Sequence, residues 1–171
     1  MLLEGAPGVG KTTVVMRLVS ALRAEGISVV GFFTEEIRER GRRVGFAVVE
    51  IGGARGVLAH VNHESPVRVG RYGVDIDTFE RIALPALARL RGSGVLVIDE
   101  VGKMELSSRA FSEAIVDAFR SDRPAVATVH RFRHPISDVL KARPDVELIR
   151  VTRRNRDRLA ADLASRLTGE V

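Results

Sequence analysis

The chain has 171 residues, 45% hydrophobic and 29% charged, which is the length and composition of one domain with a real core. It contains no cysteine, so a disulfide framework, a thiolate metal site and a cysteine nucleophile are all excluded. The formal net charge of +5 is carried by arginine, since Lys11, Lys103 and Lys141 are the only lysines among 27 basic residues, and guanidinium suits phosphate geometry.

Taken in chain order, Met1-Leu2-Leu3 reads as a short strand running into Gly5-Ala6-Pro7-Gly8-Val9-Gly10. Nothing ahead of that turn has the pattern of a signal peptide, and no apolar stretch has the length of a membrane span. A cytoplasmic protein with no membrane partner is the expectation. Val14, Val15, Leu18, Val19 and Leu22 recur at helical spacing, with Gly26 as the stop. The apolar run Ser28–Phe33 predicts a second strand, buried on both faces. Residues 35–74 differ in character: a charged stretch, Glu35–Arg43, precedes short strands Val44–Ile51 and Val57–Val61, parted by Gly52-Gly53. The expectation there is an antiparallel β-hairpin insertion.

Asp77 or Thr78 is placed to cap a helix bearing Phe79, Ile82, Ala86, Leu87 and Leu90 on one face, with a kink expected at Pro85. Val95-Leu96-Val97-Ile98 is a fully apolar strand ending in Asp99-Glu100. Next come a helix over about Ser108–Phe119, a strand over Ala125–Val129 and a short helix from Pro135 through Leu140. Val146–Val151 reads as the last strand, and Leu159, Leu163 and Leu167 stripe a final helix. Apolar strands alternating with helices predict one α/β domain, residues 1–171, with a mostly parallel sheet covered by helices on both faces.

Gly5-Ala6-Pro7-Gly8-Val9-Gly10-Lys11-Thr12 matches G-x-x-x-x-G-K-[ST] in full, between an apolar strand and an amphipathic helix. Glycine permits close approach of backbone N–H groups to phosphate oxygens, and the following helix turns its positive end to the anion. In such a P-loop Lys11 reaches the β- and γ-phosphates, and the Thr12 hydroxyl ligates Mg²⁺. Asp99 and Glu100 sit at the carboxyl end of a buried strand, the sheet edge where ligands bind. Asp99 is suited to holding the same Mg²⁺ through a water, and Glu100 to orienting or deprotonating an attacking water.

Other strand ends deliver Thr34-Glu35-Glu36, Thr128-Val129-His130-Arg131 and Thr152–Asp157. Thr128 and His130 are candidates to sense the γ-phosphate, with a structural role as the alternative. Asn155 and Arg156 are candidates to flank the base, and Asn155 is equally suited to be the N-cap of the last helix. Lys103 is a candidate to neutralise charge on the transferred phosphate, a plain surface lysine being the alternative. The arginine clusters Arg38–Arg43 and Arg150–Arg158 suit phosphate or RNA contacts, but they lack interleaved aromatics, so RNA binding finds little support.

Together the segments Gly5–Thr13, Gly31–Arg38, Arg42–Phe46, Ile98–Leu106 and Val151-Thr152…Asn155-Arg156 resemble a family nearly end to end: the small nucleoside-triphosphatases of thermophiles, called cancer-related nucleoside-triphosphatase in vertebrates. The resemblance implies a monomeric P-loop core with an additional catalytic glutamate. It implies slow hydrolysis of ATP, GTP and other triphosphates, CTP and UTP included, with broad base tolerance. By position, Gly5–Thr13 and Val95–Gly102 (Val95, Leu96, Val97, Ile98, Asp99, Glu100, Val101, Gly102) bind nucleotide, and Glu100 is the catalytic acid beside Lys11. The chain departs from the pattern mainly at Arg131-Phe132-Arg133-His134. A nucleoside or nucleotide kinase and a nucleotide-switched RNA-binding module are the competing readings. No Asn-Lys-x-Asp segment is present to read guanine.

Overall fold

The computed structural model describes residues 1–89 and 94–169; Leu90, expected on a helix face, lies outside them. β1 (Leu2–Glu4) feeds a glycine-rich loop and α1 (Lys11–Ala24). β2 (Val29–Glu39), β3 (Arg42–Glu50), β4 (Arg55–His60), β5 (Arg68–Val69) and β6 (Tyr72–Val74) follow without an intervening helix. α2 (Ile76–Ala88), β7 (Val95–Val101), α3 (Arg109–Arg120), β8 (Ala125–Val129), α4 (Pro135–Lys141), β9 (Leu148–Arg150) and α5 (Arg156–Thr168) complete the chain. Among the described residues no helix is long and apolar enough to cross a membrane.

All nine strands of the described residues join one sheet in the order β5-β6-β4-β3-β2-β7-β8-β1-β9. β2, β7, β8, β1 and β9 run parallel, and β3, β4, β6 and β5 extend the β2 edge antiparallel. Each face buries its own core. On one side α1 and α5 close over Leu3, Val97 and Val126, using Val14, Leu18, Leu22 and Leu163. On the other, α2 and α3 close over Phe32, Ile98 and Ala127. Phe32, Phe79 and Phe111 meet there edge to face, with centroids 5.1–5.7 Å apart, a preferred quadrupole arrangement.

The charged stretch is where the sequence pattern misleads. Residues 35–39, read only as a charged stretch ahead of the strands, continue β2, which runs for 11 residues with a register shift between Ile37 and Arg38 and turns back through Arg40-Gly41. Both turn residues have positive φ (47° and 79°), as a two-residue I′ hairpin requires. Beyond the covered part of the sheet, ion pairs replace apolar contacts: Glu36 accepts from Arg38 and from Arg43 across the hairpin.

Asp75, rather than Asp77 or Thr78, caps α2: its carboxylate accepts from Thr78 N–H at 2.8 Å. Pro85 falls in the last turn, with only residues 86–88 of α2 beyond it to be bent. The last strand shrinks to Leu148–Arg150, because Val146 N–H is taken by a turn bond to Arg143.

β2 and β7 meet closely through Gly31. Its φ is +121°, and a Cβ there would lie 1.9 Å from the Val97 carbonyl oxygen. Gly31→Ala is therefore expected to destabilise the fold by at least about 2 kcal/mol, read as a lowered denaturation midpoint at unchanged slope.

Candidate active site

The parallel strands all end on one sheet edge, and the loop after β1 lies across it. In that loop Gly8 and Gly10 adopt φ of 72° and 106°. A Cβ on Gly5 would come 2.8 Å from Val9 and 3.1 Å from the Val151 carbonyl. Gly10 precedes α1, which has no side-chain cap and no acidic residue in its first turn. Its first N–H groups are thus left to an external anion. Ala6, Pro7, Gly8, Thr12 and Thr13 are exposed along this cradle.

Lys11 is buried, at 7% exposure, and a buried ammonium must be paired. Its Nζ donates to the Gly5 carbonyl at 3.2 Å and lies 3.3 Å from Glu100 Oε1. Glu100 Oε2 is 3.0 Å from His130 Nε2 in the loop after β8. Burial pushes the Glu100 pKa up, but His130 and Lys11 outweigh it and hold the carboxyl below the usual glutamate range.

Asp99 is 2% exposed. Its Oδ1 accepts from Thr128 Oγ1 at 2.5 Å, while Oδ2 has no hydrogen-bond partner among the described residues. Burial raises its pKa against the opposing Thr12 and Thr128 hydroxyls. A buried carboxylate oxygen left without a donor, beside the Thr12 hydroxyl at the mouth of an anion cradle, fits a hard divalent cation. No cluster of three or more His, Asp or Glu that would hold a metal by itself occurs among the described residues. A cation here would share its coordination with phosphate and water, as Mg²⁺ prefers.

Of the segment Val95–Gly102, the side chains of Val95, Leu96, Val97, Ile98 and Val101 lie in the two cores. They deliver Asp99 and Glu100 to the edge rather than reaching it themselves. Thr128 is fully buried against Asp99 and orients that carboxylate, so it has no exposed hydroxyl to sense a phosphate. Lys103 Nζ sits 5.0 Å from the Phe132 ring centroid. Thr34, Glu35 and Glu36 lie on the β2 extension, where Glu35 and Glu36 pair with Arg55, Arg38 and Arg43 and not with site groups. Asn155 occupies the N-cap position of α5 without capping it. Its Oδ1 accepts from Thr152 and its Nδ2 donates to the Arg150 carbonyl, so it pins the last loop.

Arg156 lies over the P-loop backbone, donating to the Val9 carbonyl at 3.2 Å. It borders a cavity of about 170 Å³ lined by Gly10, Thr13, Val14, Arg17, Arg156 and Asp157. Glu105 is the residue that spacing gave no reason to single out. It opens a 3₁₀ turn, Glu105–Ser107, six positions after Asp99, and its Oε2 accepts from Gly102 N–H at 3.1 Å. Complete burial, aided by repulsion from Glu100 and Asp99, raises its pKa to about 8.

A sequence model of the NTPase family matches residues 1–164. "Nucleoside-triphosphatase THEP1" of Methanopyrus kandleri is 45% identical over 163 residues, covering 94% of this chain and 90% of that protein. The human "Cancer-related nucleoside-triphosphatase" is 39% identical over 181 residues, covering 95% and 93%. The crystal structure of THEP1 from Aquifex aeolicus superimposes with a TM-score of 0.87 at 33% identity, covering 98% of each chain.

Glu105 carries a pH signature. Its folded pKa of about 8 exceeds the ordinary value of 4.5, so between those pH values the unfolded chain has released a proton that the fold retains. Its contribution to stability is therefore lost as pH rises through that window, at up to about 1.4 kcal/mol per pH unit. Glu105→Gln keeps the acceptor for Gly102 and removes the titration. Denaturation at pH 5 and pH 8 is expected to show the variant gaining on the wild type at the higher pH.

Proposed function

This chain belongs to the NTPase family, and from that premise we propose that it is a Mg²⁺-dependent nucleoside-triphosphatase acting on ATP, GTP, CTP and UTP with little preference for the base. Water attacks the γ-phosphorus in line, the bond to the bridging oxygen breaks, and nucleoside diphosphate and inorganic phosphate leave. The P-loop amides and Lys11 take charge on the phosphate oxygens, and Glu100 orients the water and accepts its proton. Thr12 and Asp99 would hold Mg²⁺, whose part when bound is to offset charge between the β- and γ-phosphates.

The observation that carries this reading is Glu100, ionised at the strand end one residue after Asp99 and within reach of Lys11. A kinase must keep water off the γ-phosphate, and a carboxylate at that position favours water instead. Base tolerance is supported by the cavity beside Gly10. Among the described residues its lining offers the Arg156 guanidinium and the exposed Arg17–Asp157 pair, with no aromatic ring or amide side chain. The reading includes a monomer, as the family resemblance implies, acting in the cytoplasm.

The test is phosphate release from ATP, GTP, CTP and UTP without any other acceptor. Rates within about tenfold of each other are expected, with loss on chelation of Mg²⁺. Lys11→Ala is expected to lose at least about a hundredfold. Glu100→Gln is expected to keep nucleotide affinity and lose more than about tenfold in turnover. Tight binding without release by the wild type would overturn hydrolysis in favour of a kinase lacking its acceptor.

A further inference from the structure

Each carboxylate oxygen of Glu100 faces a basic side chain: Oε1 lies 3.3 Å from Lys11 Nζ, an ion pair without hydrogen-bond geometry, and Oε2 lies 3.0 Å from His130 Nε2. The two partners respond differently to a phosphate chain. Lys11 is bonded within the loop itself, to the Gly5 carbonyl, so an anion seated there competes for its ammonium. His130 is held from outside that loop. Its ring packs on Phe132 with centroids 4.9 Å apart, and Lys103 sits over the Phe132 ring. Its carbonyl accepts from Lys141 Nζ at 2.6 Å, and the same ammonium bonds Glu4 at the end of β1. Gly102 leaves the imidazole its place, since a Cβ there would lie 3.0 Å from His130 Nε2.

We infer that His130 is the positioning residue of the hydrolytic site: it keeps Glu100 aimed once the triphosphate has drawn Lys11 away. The inference rests on the hydrolytic reading given above. An ionised carboxylate only accepts, so Nε2 carries the proton and donates to Oε2. Oε1, released by Lys11, is then free to accept from the attacking water. Without His130 the carboxylate would have no fixed partner in the loaded state, and a small misplacement of a catalytic group is costly.

The experiment compares His130→Ala, His130→Gln and His130→Asn in steady-state phosphate release from ATP, with thermal melts as a check of folding. Alanine is expected to lower kcat about tenfold while KM for ATP stays within about twofold. Glutamine, whose amide reaches and donates like Nε2, is expected to restore kcat to within about threefold of the wild type. The shorter asparagine is expected to behave as alanine does. If the alanine variant does not fold, the contrast between glutamine and asparagine carries the test. In a Glu100→Ala background, followed by single turnovers, removing His130 is expected to cost less than about twofold more, because nothing is left to position.

An undiminished loss in that background, glutamine no better than asparagine, or a kcat that rises in His130→Ala would overturn the inference. A wild type without phosphate release, or an unimpaired Glu100→Gln, would sink the hydrolytic reading itself. A crippled Glu100→Gln beside a normal His130→Ala would sink only the positioning role.

Discussion

A buried ammonium cannot be left unpaired, and Lys11 finds its partners in the Gly5 carbonyl and the Glu100 carboxylate. That contact spans the sheet. β1 leads through the glycine-rich loop to Lys11 at the start of α1, β7 carries Glu100, and β8 lies between the two strands. The parallel arrangement of β1, β8 and β7 brings their ends to one edge, where the loop sets Lys11 against Glu100. The pair is also provisional, because a carboxylate and a triphosphate want the same ammonium. The site is thus built around a contact that substrate is suited to replace.

The rest of the edge supports that contact in layers. Thr128 orients Asp99 and leaves its second oxygen open, Gly102 and Glu105 brace the turn behind Glu100, and Asn155 fixes the last loop beside the P-loop. Glu105 is the costliest of these. A carboxyl kept neutral beside two acids is tolerated because it stays protonated and accepts one backbone N–H. The antiparallel extension beyond β2 plays no part in this network. Three of its arginines are held by nearby carboxylates, Arg38 and Arg43 by Glu36 and Arg55 by Glu35. Exposed pairs of that kind contribute under about 1 kcal/mol each.

Most of the fold was legible in the sequence, and the reasons are local. The apolar runs at Val95–Ile98 and Ala125–Val129 read as buried strands, and the glycine spacing of residues 5–12 points to an anion loop because an apolar strand precedes it and an amphipathic helix follows. The end of β2 was illegible because its pattern is charge rather than hydrophobicity, and the cross-strand partners that make it a strand come from β3. The α2 cap was misplaced by two residues because Asp75, Asp77 and Thr78 all qualify by type, and only the hydrogen bond to Thr78 N–H distinguishes them. Thr128, His130 and Glu105 were harder still. The first two were visible as polar residues at a strand end, but their partners lie on β7, and strand order is not written in either segment. Glu105 looks like a surface acid in a polar stretch. Its burial arises from the 3₁₀ turn folding it back under Gly102.

Bound substrate is expected to take Lys11 from Glu100 and leave Glu100 in place. A crystal structure with Mg²⁺ and a non-hydrolysable ATP analogue tests it most directly. Lys11 Nζ is expected within hydrogen-bonding distance of β- and γ-phosphate oxygens, and no longer on Glu100. Oε2 is expected still on His130, with Oε1 facing a water in line with the γ-phosphorus. A nucleotide bound in the cradle with Lys11 still paired to Glu100, or with Glu100 turned away from the γ-phosphate, would contradict it.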